Sequence, residues 1–446
     1  MTIFCRLTKL LLAITAGITL AACQSWVTQP PLLYLDAELQ QCIDLAHEFQ
    51  QAVSESHANN AGVSSVARLP FLATNRFHSA LAKQAETPAQ IEEWVQMSVS
   101  LGIEFRSYEN RDLVLPWPDN KLAQLGSCAQ MFASSSHYLN QRQQAVSEHP
   151  AYNDNYSTLP QWLGLLPMLR PVFKAQIDKL HREEKRWFAE DQKFDSALVY
   201  GLHNQSTVPP YGLEEWFNQS YAASPLRLPR LSDSQLAMLF ELHAPQFEIE
   251  TLANRDKLGT PGFVNSRTAV DTASAVAYTL PSYTRFGGQN LLQLNYVVWF
   301  PERGPVRPID LFAGKVDSLI WRVTFDETGQ VLLYDSIHSC GCYHKYFLAS
   351  DKVRARQPAL SAEPANLIRL VDLNPNQGLR LIVSSNEHYI VGLEPLKQNA
   401  EIDYTLAEYS ALFAVPNGAG NKSWFGPTGI IKGSERLERF TLWPTG

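Results

Sequence analysis

Chemistry-bearing side chains are densest at His338-Ser339-Cys340-Gly341-Cys342-Tyr343-His344, where two imidazoles and two thiols fall within seven positions. Zinc and copper(I) both accept such ligands, zinc in a tetrahedron at about 2.0 to 2.3 Å. In a fully extended segment His338 and His344 would stand roughly 20 Å apart at about 3.3 Å per residue, so joint ligation requires a bend. Gly341 allows one, because it adopts positive φ without a Cβ clash. His388, between two strand-like runs, is the remote histidine that could join His338, Cys340, Cys342 and His344 around a zinc or copper ion.

The same residues support two other readings. Oxidation of Cys340 and Cys342 to a small local disulfide competes directly with metal ligation and would leave a non-catalytic envelope scaffold or binding module with stapled loops. Alternatively, one of the thiols is a nucleophile, with His338, His344 or His388 as its base and Asp335 as the orienting acid, since only the thiolate attacks. The single residue between the cysteines excludes the CxxCH haem motif. There is no HExxH zinc helix and no GxSxG elbow, and Asn421 stands where a phosphate loop has glycine. The acidic pairs Asp310/Asp317 and Asp256/Glu250 sit at strand ends, where carboxylates are ordinarily solvated. Trp299, Trp321, Tyr296 and Tyr334 recur at strand spacing, which favours cross-strand packing over a sugar-stacking platform. No catalytic residue is assigned on sequence alone.

Two kinds of element must position this cluster. Leu39, Cys42, Ile43, Ala46, Phe49 and Val53 recur at three and four residues behind a capping Asp36, which predicts an amphipathic helix. Thr87-Pro88-Ala89-Gln90 combines an N-cap, a first-turn proline and a capping-box glutamine, with Gly102 as a possible stop for that helix. Leu122 to Phe132 and Phe173 to Trp187 repeat the helical period. Ser232 and Gln235 open a further helix that ends before Pro245. Beyond about residue 260 the period becomes two. Leu292 to Phe300 alternates, Leu319 to Phe325 and Val331 to Ile337 flank Asp326-Glu-Thr-Gly-Gln330 as a hairpin, and Leu379 to Ser385 pairs with Tyr389 to Leu393. The expected fold class is α+β, with a helical domain over 36–225 and a largely antiparallel β-rich domain over 226–446. The proline-bearing stretch 221–232 marks the boundary.

The start of the chain locates the protein. Arg6 and Lys9 precede an apolar run from Leu10 to Leu20, too short to span a bilayer and of the length of a secretory signal. Leu20-Ala21-Ala22-Cys23 resembles the lipobox of bacterial lipoproteins. That resemblance implies removal of residues 1–22, acylation of Cys23, a lipidated tether over 23–35 and attachment to a bilayer without a transmembrane helix. Gln24 after the cysteine implies sorting to the outer membrane of a Gram-negative envelope, on its periplasmic side. Removing residues 1–22 takes away two cations and no acid, so the formal charge moves from −7 to −9. Such an acidic chain with no local Lys/Arg cluster is not expected to bind nucleic acid. Of six cysteines, Cys5 is then discarded and Cys23 consumed. In an oxidising compartment the isolated Cys42 and Cys128 are expected to form a disulfide, the alternative being two buried thiols.

Overall fold

A computed structural model describes residues 36–437, apart from 153–165, 191, 204, 206–207, 209, 355–365, 370–372, 374–377, 398–399 and 419. The lipobox, Cys23 and the tether lie outside the described residues. The helical unit comprises α1 (Ala37–Glu55), the short hairpin β1 (Ser64–Val66) and β2 (Leu69–Thr74), α2 (Arg76–Leu81), α3 (Pro88–Asp112), α4 (Asp119–Ser134) and α5 (Leu139–Ser147). Its start signals act as expected. Asp36 accepts from Leu39 N at 2.7 Å, and Thr87 and Gln90 close a capping box. Leu39, Phe49, Phe71, Trp94 and Phe132 form the centre of its core, each fully buried. Cys42 of α1 and Cys128 of α4 are joined by a disulfide.

One helical signal misleads. Gly102 does not end its helix but lies inside α3, which continues ten residues further to Asp112. A Cβ at this position would stand 2.5 Å from Nη1 of Arg106, one turn on, so the missing side chain makes room for a buried guanidinium rather than a helix stop.

The second unit is built on an eleven-stranded sheet. After α6 (Leu166–Trp187) come β3 (Ala197–Leu202), α7 (Leu213–Ala223), α8 (Asp233–Leu242) and β4 (Gln246–Glu250). A side hairpin, β5 (Thr260–Val264) and β6 (Arg267–Asp271), precedes the long strands β7 (Ala275–Phe286), β8 (Gln289–Arg303), β9 (Gly314–Phe325), β10 (Val331–His338) and β11 (Lys345–Leu348). The remaining sheet strands are β12 (Asn366–Arg369), β13 (Leu379–Val383), β14 (Ile390–Pro395) and β15 (Ile402–Glu408). The order is β12-β11-β10-β9-β8-β7-β15-β3-β4-β13-β14. Strands β7 to β11 form an antiparallel meander that includes the expected hairpin around Asp326–Gln330. Parallel pairings of β15 with both β7 and β3, of β13 with β4, and of β12 with β11 make the sheet mixed. The fold is α+β.

The period-two runs divide the sheet into two faces. Tyr296, Val298, Phe300, Leu319, Trp321 and Tyr334 face a core completed by Phe217 and Tyr221 of α7 and Leu239 and Phe240 of α8. Trp321 stacks on Tyr334 at 5.1 Å, so the strand aromatics are core rather than an open platform. The other face buries Val297 and Trp299 beneath Trp424 and Leu412. Strand β3 and helix α7, although they precede residue 225, thus belong to the sheet. Leu226 and Leu228 pack back into the helical core, while Glu93 of α3 accepts from Ser224 Oγ and Leu226 N, each at 2.7 Å. The proline-bearing stretch therefore fastens the two units together as well as separating their helices.

The Cys42–Cys128 bond spans 86 residues of the helical unit, so loop entropy assigns it roughly 4 to 5 kcal/mol. Replacing both cysteines by serine is expected to lower the urea midpoint of the full chain under non-reducing conditions. A midpoint that does not move would show that the bond contributes nothing to stability.

Candidate functional site

The loop singled out by composition is the β10–β11 turn. Gly341 N donates to His338 O at 2.8 Å and His338 N donates to Cys342 O at 3.1 Å, folding Cys340-Gly341-Cys342 into a tight protruding turn. Gly341 has φ of 83°, the left-handed conformation for which glycine is required. Ser339 at the base of the turn is hydrogen-bonded to Ser318 of β9. Both cysteines are thiols, Cys340 exposed and Cys342 half-buried. Cys342 Sγ lies 4.0 Å from Cys340 O. A hydrogen bond from the Cys342 side chain holds the Cys340 thiol below its ordinary value, and the Arg436 guanidinium adds to the lowering.

Behind this turn lies a buried charge network that the strand pattern assembles. Asp317 occupies β9 at the same parity as Leu319 and Trp321, which turns its carboxylate inward beside Phe300, its cross-strand partner on β8. Arg436 Nη2 donates to Asp317 Oδ1 at 2.9 Å and His388 Nδ1 donates to Oδ2 at 2.8 Å. His338 Nδ1 stands 3.6 Å from Oδ1, an electrostatic contact too long for a hydrogen bond. Burial alone would raise the Asp317 carboxyl, but the flanking imidazoles outweigh it and hold Asp317 well below the usual carboxylate range. Burial pushes the His338 imidazole down, against the pull of Asp317. At neutral pH the network is therefore a buried carboxylate balanced by Arg436, with His338 neutral.

His388 carries the tightest constraint. It is fully buried, has φ of 52°, and stacks on Phe300 with ring centroids 3.7 Å apart. Its Nε2 lies 3.8 Å from Asp256, whose carboxylate caps the chain at Leu252 and Ala253 and accepts from Asn386 N at 2.8 Å. A non-glycine residue held at positive φ costs of order 1 to 3 kcal/mol, and here the Asp317 bond and the Phe300 stack hold it. Around the rim, Arg303 sits 5.1 Å from the Tyr343 ring and 5.6 Å from the Tyr389 ring, and the two rings meet edge-on at 4.7 Å. Lys345 forms a buried ion pair with Glu184 of α6 at 2.8 Å and donates to Ile390 O at 3.2 Å, locking α6 onto the sheet beside the turn.

The five sequence-nominated ligands are therefore divided. His338 and His388 converge on Asp317 on the inner face. His344 lies on the opposite face, its Nε2 3.0 Å from Asp335 Oδ1 and its Nδ1 3.1 Å from the Tyr346 hydroxyl. Arg322 also binds Asp335, through Nε at 2.7 Å. Asp335 thus orients His344, both of whose ring nitrogens are engaged. Among the described residues no group of three or more His, Cys, Asp or Glu side chains is arranged to hold a metal ion. Sequence reasoning took Asp317 and Asp256 for solvated strand-end carboxylates, whereas both are buried, and it missed Arg436, Arg303, Tyr343 and Tyr389. Asp317 did leave a signal, a carboxylate at an inward position of an alternating run, whereas Arg436 left none.

Comparison with family models, with curated proteins and with solved structures finds no match to this chain.

Replacing Asp317 by Asn would leave Arg436 buried without its counter-charge, a change expected to cost about 3 to 5 kcal/mol. Chemical denaturation measures it, and a loss under about 1 kcal/mol would sink the central role given to Asp317. His338 titrates lower when folded than when unfolded, so the unfolded chain binds more protons. Its contribution is complete above the unfolded value near pH 6.5 and declines as pH falls below it. His338→Gln is expected to flatten the stability slope on the acid side of that point; an identical slope would contradict this assignment.

Proposed function

We propose that this chain is a lipid-anchored envelope protein whose working element is the Cys340-Gly341-Cys342 dithiol, acting in thiol–disulfide exchange. One observation carries the reading: an exposed, acidified Cys340 beside a half-buried Cys342, on a turn clamped by backbone bonds over a rigid buried network. Low thiol pKa and access are what make a cysteine reactive, and a neighbouring thiol lets it resolve a mixed disulfide. In the proposed cycle the Cys340 thiolate attacks a substrate disulfide and releases one substrate thiol. The Cys342 thiolate then attacks the Cys340 sulfur and releases the second. Two electrons pass to the substrate, and the turn is left as a disulfide that an external dithiol must reduce.

Anchoring by an acylated Cys23 on the periplasmic side of the outer membrane completes the proposal. It rests on the lipobox-like residues, and the Cys42–Cys128 disulfide fits an oxidising compartment. No helix among the described residues is long and apolar enough to cross a membrane.

A second reading keeps the soft metal. Two adjacent thiolates suffice to hold copper(I), and acidification of Cys340 favours the deprotonated form that a metal requires. Zinc, which takes four ligands, is less well served, because His344 is held away from His338 and His388.

The test uses the full chain in detergent with oxidised glutathione as probe. Cys342→Ser is expected to accumulate a glutathione adduct on Cys340 by mass spectrometry, while the wild type resolves it to an internal disulfide. Copper(I) bound at one per chain and lost in a Cys340→Ser/Cys342→Ser variant, without adduct formation, would replace exchange by the metal reading. Neither adduct nor copper would end both. Acylation is checked separately on the isolated protein: a Cys23→Ser variant is expected to lose its lipid mass and its membrane association.

A further inference from the structure

The helical unit borders a cavity of about 630 Å³ that shares no lining residue with the dithiol turn. Its walls are α1, the β1–β2 hairpin with the loop before it, the middle of α3 and the segment from the end of α5 to Ala151, with Pro427 contributed by the C-terminal region. That volume falls within the range of small-molecule sites. Two ionisable residues of α3, Arg106 and Glu109, form part of the wall; spaced three apart, they share one helix face. Arg106 is only 7% exposed. Its Nη2 donates to Pro70 O at 2.7 Å, but Nη1 has no hydrogen-bond partner among the described residues. An orphaned guanidinium donor in the interior costs free energy that a protein ordinarily avoids. The chain accommodates it by placing Gly102 one turn earlier, where any Cβ would meet Nη1 at 2.5 Å. Glu109 accepts from Asn60 N at 3.2 Å and is favoured in its charged form by Arg106, but burial outweighs both and pushes its carboxyl up to about 7. Asn59, Asn60 and Ser64 add further polar groups to the wall.

We propose that this cavity binds a small zwitterion, a free amino acid or a short peptide, whose carboxylate takes the open donor of Arg106 and whose ammonium faces Glu109. A carboxylate against guanidinium forms the charge-assisted bond that Nη1 lacks, and a cation beside Glu109 compensates a half-buried acid. An isolated anion would satisfy Arg106 but leave Glu109 repelling it, whereas a ligand carrying both charges answers both groups. The site owes nothing to the dithiol turn, so either proposal stands or falls alone.

Calorimetric titration of the full chain with the twenty L-amino acids and with L-alanyl-L-alanine tests it, with propionate and ethylamine as single-charge controls. At least one zwitterion is expected to bind at least tenfold more tightly than either control. Gly102→Ala is the sharpest variant, because its methyl would meet Arg106 Nη1 at 2.5 Å and Phe71 O at 3.2 Å; it should weaken that binding tenfold or more in protein that circular dichroism shows to be folded. Glu109→Gln should bring the zwitterion's affinity towards that of propionate. The proposal is overturned if no probe binds, if the controls bind as well as the zwitterions, or if folded Gly102→Ala and Arg106→Met both retain wild-type affinity.

Discussion

A buried carboxylate cannot stay ionised without compensation, and Asp317 is where that constraint gathers the β-rich unit. It lies on β9 at the heart of the meander, yet its partners come from the β13–β14 turn through His388, from the end of β10 through His338, and from the C-terminal region through Arg436. Segments up to 119 residues apart are thereby tied to one side chain. Removing Arg436 would leave an uncompensated charge in a low-dielectric interior, so the strands that carry Asp317 and its neighbours are coupled to the path of the C-terminal segment.

The dithiol turn inherits its rigidity from this network. His338 ends β10 and begins the turn, its ring held near Asp317 and against the Tyr343 edge at 5.3 Å. Arg436, which neutralises Asp317, is also a cation that lowers the Cys340 thiol. Asp317 itself acts on that thiol in the opposite sense, so the guanidinium stands between a buried acid and an exposed sulfur and serves both. Placing reactive thiols on a loop carried by a pre-ordered scaffold separates the cost of ordering the site from its chemistry.

Local signals were legible wherever one element answers to its own sequence. Capping at Asp36, Thr87 and Ser232, the strand alternation after residue 260 and the Asp326–Gln330 hairpin all follow from short-range chemistry. Gly102 was misleading because its role is set by a side chain one turn away rather than by the helix end. The histidines were legible as types but not as a group. Asp335 and His338 are three positions apart on β10, so the two point to opposite faces, and a cluster that looks compact in one dimension is divided by the sheet that carries it.

Residue order by itself determined the α+β class, the helix starts, the pairing of adjacent strands and the nomination of a cysteine–histidine turn, because each depends on interactions within about one element's length. Tertiary structure alone decided that Asp317 is a hub, that Arg436 reaches it, that His344 is held apart from His338 and His388, and that Arg106 is left with an open donor. Those outcomes depend on which distant segments share a buried volume. There the cost of an unsatisfied charge selects the partners, whatever their separation along the chain.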